Sequence, residues 1–159
     1  MNAMKTLKVN REFLVRHLAV CLLMLGMGCW FGYDGLVTYR RAPAAELYEK
    51  IESAKPPEGF PLEAFKEQKI KTQYGFAILC LVASALIGLH LASVAAFRFD
   101  WDESSFVWNG KRYQLSDVKS ADRSKWKSKG ILRLTLSDGT RVTLDAWHHV
   151  GVKEFEKMV

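Results

Sequence analysis

Residues 74–97 read YGFAILCLVASALIGLHLASVAAF, a stretch with no Asp, Glu, Lys or Arg, in which Ser84, His90 and Ser93 are the main polar interruptions. As a helix rising 1.5 Å per residue it is about 35 Å long, enough to cross a hydrocarbon core of about 30 Å. The buried helix of a soluble domain shows a polar stripe at a 3.6-residue period, and residues 77–89 show none. The stretch therefore predicts a membrane-crossing helix.

A second apolar run lies upstream. Residues 13–33 are apolar apart from Arg16 and His17 near the start, and span about 30 Å as a helix. Lys5, Lys8 and Arg11 precede it, as cations precede a signal peptide. The run is nevertheless longer than a signal core, and bulky Trp30, Phe31 and Tyr33 stand where a small-residue cleavage site belongs. Gly26-Met27-Gly28-Cys29 is a poor lipoprotein cleavage box, so an uncleaved anchor is expected. Five parts follow: an N-terminal segment 1–12, a first span 13–33, a helical loop 34–73 on the far side of the membrane, a second span 74–97 and a C-terminal domain 98–159.

The formal charge of +6 is spread along the chain. Before the first span Lys5, Lys8, Arg11 and Arg16 face Glu12 alone. The loop balances seven basic against seven acidic residues, and the part after Phe97 carries twelve against nine. No dense cationic patch points to nucleic acid. Two spans put both termini on one side, and the positive-inside rule makes that side the cytoplasm, although Arg40, Arg41, Lys69 and Lys71 flank the spans opposite. Cys21, Cys29 and Cys80 all fall within the spans, where they read as small apolar packers and not as disulfide or zinc cysteines.

Small residues recur in both spans: Gly28 and Gly32 in the first, and Ser84, Gly88, Ala92 and Ala96 in one i, i+4 ladder in the second. Small residues let helix backbones approach closely in lipid. The simplest reading is the seam of an intramolecular hairpin; a homo-oligomer or docking on a membrane protein partner would use the same pattern. In the loop, Pro43 precedes Leu47, Tyr48 and Ile51 at amphipathic spacing, Lys55–Pro61 breaks the helix, and residues 62–73 resume it into the second span.

After Phe97 the hydrophobic period changes from helix to strand. Residues 97–101 alternate apolar and polar. Residues 105–108 and 111–115 flank Asn109-Gly110, the pair a type I′ hairpin turn requires. Residues 116–122, 131–136 and 140–144 continue a β-meander through the turn at Ser137-Asp138-Gly139. Val152, Phe155 and Met158 then share one face of a closing helix.

Gly110-Lys111-Arg112-Tyr113, Leu115-Ser116-Asp117-Val118, Lys125-Trp126-Lys127 and Ser137-Asp138-Gly139-Thr140 together resemble the bacterial PH-like domains. The resemblance covers residues 98–159. It implies a binding or scaffolding module following a pair of transmembrane helices, and fold alone does not dictate what such a module binds.

Residues that could carry chemistry are few. Arg123, Lys125, Lys127 and Lys129 alternate with other residues, so that in an extended hairpin all four charges share a face and Trp126 takes the other. Held near a bilayer, this segment is the candidate contact for anionic lipid headgroups, each cation contributing about 1 kcal/mol; a solvated sheet edge is the competing reading. Asp145, His148 and His149 are the nearest approach to a metal cluster. Adjacent histidines diverge, so these are expected as residues opening a helix, with Asp145 as its N-cap and no metal. His90 lies within the second span with no intramembrane acid to pair with, and a haem between His17 and His90 is not expected. No Ser-His-Asp spacing, phosphate loop or metal motif is present, so neither an enzyme nor a cofactor is expected.

The chain is thus expected to be an α+β membrane protein of the bacterial inner membrane. Its two-span hairpin would be followed by a small antiparallel PH-like β-meander with a C-terminal helix, both termini being cytoplasmic. Its role would be that of a non-enzymatic binding or scaffolding module with membrane lipids as partners, or else an accessory subunit of a larger membrane complex.

Overall fold

The computed structural model describes residues 4–159. They form an α+β protein in two compact units: His17–Leu89, and the residues up to Arg16 together with His90–Val159. In chain order the elements are β1 (Lys5–Thr6), β2 (Lys8–Val9), α1 (Arg11–Tyr33), a π-helical turn (Asp34–Thr38), α2 (Tyr39–Arg41), α3 (Ala44–Glu52), α4 (Leu62–Ala96), β3 (Phe99–Trp101), β4 (Ser105–Trp108) and β5 (Lys111–Gln114). A 3-10 turn (Leu115–Asp117) leads to β6 (Val118–Asp122), α5 (Trp126–Lys129), β7 (Ile131–Leu136), β8 (Arg141–Asp145), β9 (His149–Val150) and α6 (Val152–Glu156).

The helical unit is a packed pair. Residues 11–41, which include α1, and Leu62–Ala96 are each long and apolar enough to cross a membrane. Their least exposed positions step by alternating fours and threes: His17, Cys21, Met24, Gly28, Phe31 and Gly35 on one helix, and Ala77, Cys80, Ser84 and Ile87 on the other. This seven-residue repeat is what keeps one stripe facing a partner helix. Ser84 Oγ donates to the Cys21 carbonyl at 3.0 Å, and the Cys21 Sγ lies 3.4 Å from Ser84 Oγ.

The i, i+4 ladder expected on α4 is only partly in this seam. Ser84 is buried and a Cβ on Gly88 would touch Cys21 Sγ at 3.9 Å, but Ala92 and Ala96 are exposed. Four residues turn an α-helix about 40° past a full circle, so a strict four-residue ladder drifts off the contact stripe within three steps. On α1, Gly28 is in the seam, with Leu81 Cγ 2.8 Å from where a Cβ would stand, while Gly32 has nothing within 4 Å. The tightest unpredicted contact is Gly35, in the π-helical turn: a Cβ there would lie 2.8 Å from Tyr74 Cε1 and 3.2 Å from Gln73 Cβ.

The loop folds as its composition predicts. Pro43 adopts φ −57°, ψ 141° immediately before α3, and α4 begins after Pro61 and runs unbroken to Ala96. Leu47 is 2% exposed, and Tyr48 packs on Phe60 and Phe65 with ring centroids 4.8 and 5.0 Å apart. Lys66 Nζ donates to the carbonyls of Arg40 and Ala42, which the end of α2 leaves free.

The second unit is a small β domain with antiparallel sheets. One has the order β1-β3-β4-β5, another β6-β7-β8, and β2 pairs with β9. Asn109 and Gly110 have φ of 49° and 74°, as the I′ turn demands, and Trp108 pairs with Lys111 across it. Phe99, Phe106, Leu132, Leu134, Val142, Leu144, Val152 and Phe155 are fully buried in one core, where Phe155 of α6 meets Phe99 edge-on at 4.9 Å.

Residues 5–9, part of the N-terminal segment expected to stand apart from the C-terminal domain, belong to this domain. Lys5 pairs with Trp101, Thr6 with Asp100, Lys8 with Val150 and Val9 with His149. Between them Leu7 donates its N–H to the Phe99 carbonyl and is 6% exposed in the core. Gly151, at φ 107°, admits this arrangement, since a Cβ would stand 2.8 Å from the Trp101 ring and 3.1 Å from Leu7.

Two carboxylates pin turns. Asp102 accepts the N–H groups of Ser104 and Ser105 and is held at a pKa of about 2 by them. Asp138 is likewise held at about 2, by the Thr140 hydroxyl, the Thr140 N–H and Lys111. Both folded-state values lie below the ordinary 3.8, so their contribution is present above about pH 4 and disappears as pH falls towards 2. The near-ultraviolet circular dichroism melt of the β domain should therefore weaken across that window, and Asp102→Asn with Asp138→Asn should flatten the dependence. For the helical pair, Gly35→Ala should cost about 1–3 kcal/mol in detergent unfolding because an aromatic ring must move. Gly26→Ala, with nothing within 4 Å of the added atom, should cost nothing.

Candidate functional site

The basic segment after β6 is not an extended hairpin. Arg123–Lys125 form a turn and Trp126–Lys129 a short helix that ends at Gly130, φ 66°. Helical geometry replaces the expected alternation, so the four cations do not form one row. Arg123 is turned back on the chain end: its Nε donates to Glu156 Oε1 at 2.7 Å and its Nη2 to the Glu156 and Val159 carbonyls. Trp126 packs against the core, while Lys125, Lys127 and Lys129 are exposed.

The turn linking β8 to β9 also departs from expectation. Asp145 caps no helix; its Oδ1 accepts the Trp147 N–H at 2.8 Å, and residues 146–148 turn the chain into β9. The short connection favours a strand because β2 is there to receive His149 and Val150.

This turn carries three aromatic side chains with different surroundings. His149 is 5% exposed; its Nε2 lies 3.1 Å from the Val94 carbonyl and its ring 4.9 Å from that of Phe97. The His148 ring lies 4.5 Å from that of Phe13 and 5.2 Å from that of His90, and its Nδ1 is 3.6 Å from Asp145 Oδ2. His90 therefore has an imidazole neighbour that the sequence did not supply. Trp147 points outward, 65% exposed.

Backbone bonds fix the turn from both sides. Asn10 donates its N–H to the His148 carbonyl and its Nδ2 to the Trp147 carbonyl, at 2.8 and 3.1 Å. Ala146 donates to the Gly130 carbonyl at 3.0 Å, and a Cβ on Gly130 would lie 3.4 Å from Trp147 Cδ1. The residue before α1, the end of the basic helix α5 and the exposed indole are thus contiguous. No signal in the sequence marked Trp147, because its partners lie about 17 and 137 residues away.

Among the described residues, no group of three His, Cys, Asp or Glu side chains is placed to hold a metal ion. No family model, curated protein or solved structure matches the chain.

The two outer side chains of the turn should behave oppositely on substitution. His149→Phe preserves a ring but removes the imidazole contact to the Val94 carbonyl, which keeps only the Phe97 N–H at 3.3 Å, and should lower β-domain stability by about 0.5–1.5 kcal/mol in a denaturant titration. Trp147→Phe, at an exposed position, should leave that titration unchanged.

Proposed function

We propose that the chain is a non-enzymatic, membrane-anchored module: α1 and α4 cross the inner membrane of a bacterium as a hairpin and carry a PH-like domain on the cytoplasmic side for binding or scaffolding. The observation that carries this reading is the incorporation of β1 and β2, which precede α1, into the same β domain as the strands that follow α4. A hairpin whose two ends join one folded domain requires both ends on one face of a bilayer.

The surface of the helices supports the same reading. Leu18, Leu22, Leu23, Leu25, Ile78, Leu79, Leu86 and Leu89 are all more than 40% exposed. So large a run of apolar side chains in water would be an aggregation liability, whereas in hydrocarbon it costs nothing. The cytoplasmic assignment rests on sixteen basic against ten acidic residues outside the loop, compared with seven of each within it. The PH-like assignment rests on a four-stranded and a three-stranded antiparallel sheet sharing a core with a C-terminal helix, β1 supplying the fourth strand.

An accessory subunit of a larger membrane complex is the second reading. A bare patch at Leu47, Tyr48 and Ile51 would have favoured it, but Leu47 is buried and the other two are half-buried. What favours it is the open space beside Gly26 and Gly32 of α1, each with nothing within 4 Å of an added Cβ, since a glycine left unpacked within the chain admits the close approach of a partner helix.

Protease protection of tagged chains in oriented membrane vesicles tests the topology. Tags at the two termini should be cleaved together in inside-out vesicles, and a tag at Glu58 only from the opposite face. Cleavage of the two terminal tags from different faces would contradict the hairpin. In gentle detergent, native mass spectrometry should give a monomer or homo-oligomer with bound lipid; a discrete assembly with other proteins would establish the second reading instead.

A further inference from the structure

We infer that Trp147, together with Lys129 of α5 and Arg11 at the start of α1, forms a foot by which the β domain rests on the anionic headgroups of the bilayer. The inference depends on the membrane-anchored reading above and adds a site to it. The geometry comes first. The turn holding Trp147 is bonded through Asn10 to the residue preceding α1, and its neighbours His148 and His149 sit on Phe13, His90 and Val94.

Phe13 and His90 lie inside the apolar stretches, and His90 is seven residues before Phe97, roughly 10 Å along the helix. The turn therefore overlaps the helix ends and does not stand clear of them. If α1 and α4 are in hydrocarbon, Trp147 is at the level where hydrocarbon gives way to headgroups.

The chemistry fits that level. An indole has an apolar body and one N–H donor, and tryptophan is enriched at membrane–water boundaries for that reason. Trp147 is 65% exposed, an unusual position for so large an apolar side chain in water, and a bilayer surface would cover it. Its ring is beside Gly130, immediately after Lys129. Lys129 and Arg11 are both exposed. The nearby acids are already engaged, Asp145 with the Trp147 N–H and His148, and Glu12 with Arg16. The free charge of the foot is thus positive, which selects anionic over zwitterionic lipid. Arg123 and Trp126, bound to Glu156 and to the core, take no part.

The test uses the full chain in phosphatidylcholine vesicles with and without phosphatidylglycerol, with bromine-labelled lipids as quenchers of tryptophan fluorescence. The chain has five tryptophans, and the contribution of one is the difference between the parent and its Phe variant. Lipids brominated near the headgroup should quench the contribution removed by Trp147→Phe. That quenching should be stronger with phosphatidylglycerol and fall by at least about twofold in an Arg11→Glu, Lys129→Glu variant.

Trp30, on the exposed side of α1 and about 10 Å along the helix from the middle of the span, is the internal control, since lipids brominated along the acyl chain should quench it. Quenching of Trp30 with none of Trp147 would overturn the foot and leave the anchor standing. Failure to quench Trp30 would overturn the membrane reading itself, and equal quenching of Trp147 in both lipids would remove the anionic preference.

Discussion

Backbone hydrogen bonding between residues 5–9 and the strands that follow the second long helix is the constraint from which the rest of this architecture derives. Five residues of sequence are too short to be stable on their own. They are ordered because β3 and β9 offer open edges and because Leu7 fills a gap in the core between Phe99 and Trp101. In turn those edges are covered, which removes two sites of unwanted pairing. The consequence reaches beyond the β domain, since a chain that leaves it through Asn10 and returns to it through Phe97 must make a hairpin in between. Topology in this protein is a product of strand pairing as much as of hydropathy.

The helical pair shows how small residues are used when the contact stripe has a seven-residue repeat. Gly28, Gly35 and Ser84 fall on that stripe and permit close approach, with the Cys21–Ser84 contacts adding polar bonds where no water competes. Gly26 and Gly32 fall off it and do no packing within the chain. The π-helical turn at Asp34–Thr38 coincides with an approach as close as that of Gly28 on Leu81, Gly35 on Tyr74, and the Tyr74 hydroxyl donates to the Gly35 carbonyl at 3.3 Å. Gly35 follows Gly28 at the same seven-residue spacing, so the glycine and not the exposed Leu36 meets the aromatic ring.

What could be read from the residues follows the range over which each signal acts. The long apolar runs, the Asn109-Gly110 turn, the break at Pro56-Pro57 and the faces of α3 and α6 are local patterns, and they reappear within a residue or two. The leader strands were opaque because Lys5-Thr6-Leu7-Lys8-Val9 is too short to show a period, and its partners are about a hundred residues away. The basic segment departs from its local pattern for a different reason. Alternation of Lys with Ser and Trp suits a strand, but Gly130 supplies a left-handed stop that lets four residues close a helical turn, and Arg123 finds Glu156 in space. Trp147 was silent since nothing in its own neighbourhood distinguishes an outward indole from a core one.

The central claim is that the segments flanking the helical hairpin are strands of one domain, and disulfide trapping in the natively folded chain tests it most directly. Lys8 and Val150 are paired across β2 and β9 and both are exposed, and opposed residues of an antiparallel pair stand within the roughly 4.4–6.8 Å that a disulfide spans. A Lys8→Cys, Val150→Cys chain, oxidised under native conditions with the two single variants as controls, should form an intramolecular bond in nearly every molecule and migrate as a monomer of altered mobility. Absence of that bond, or its formation only between chains, would contradict the pairing and with it the account of how the two helices are joined.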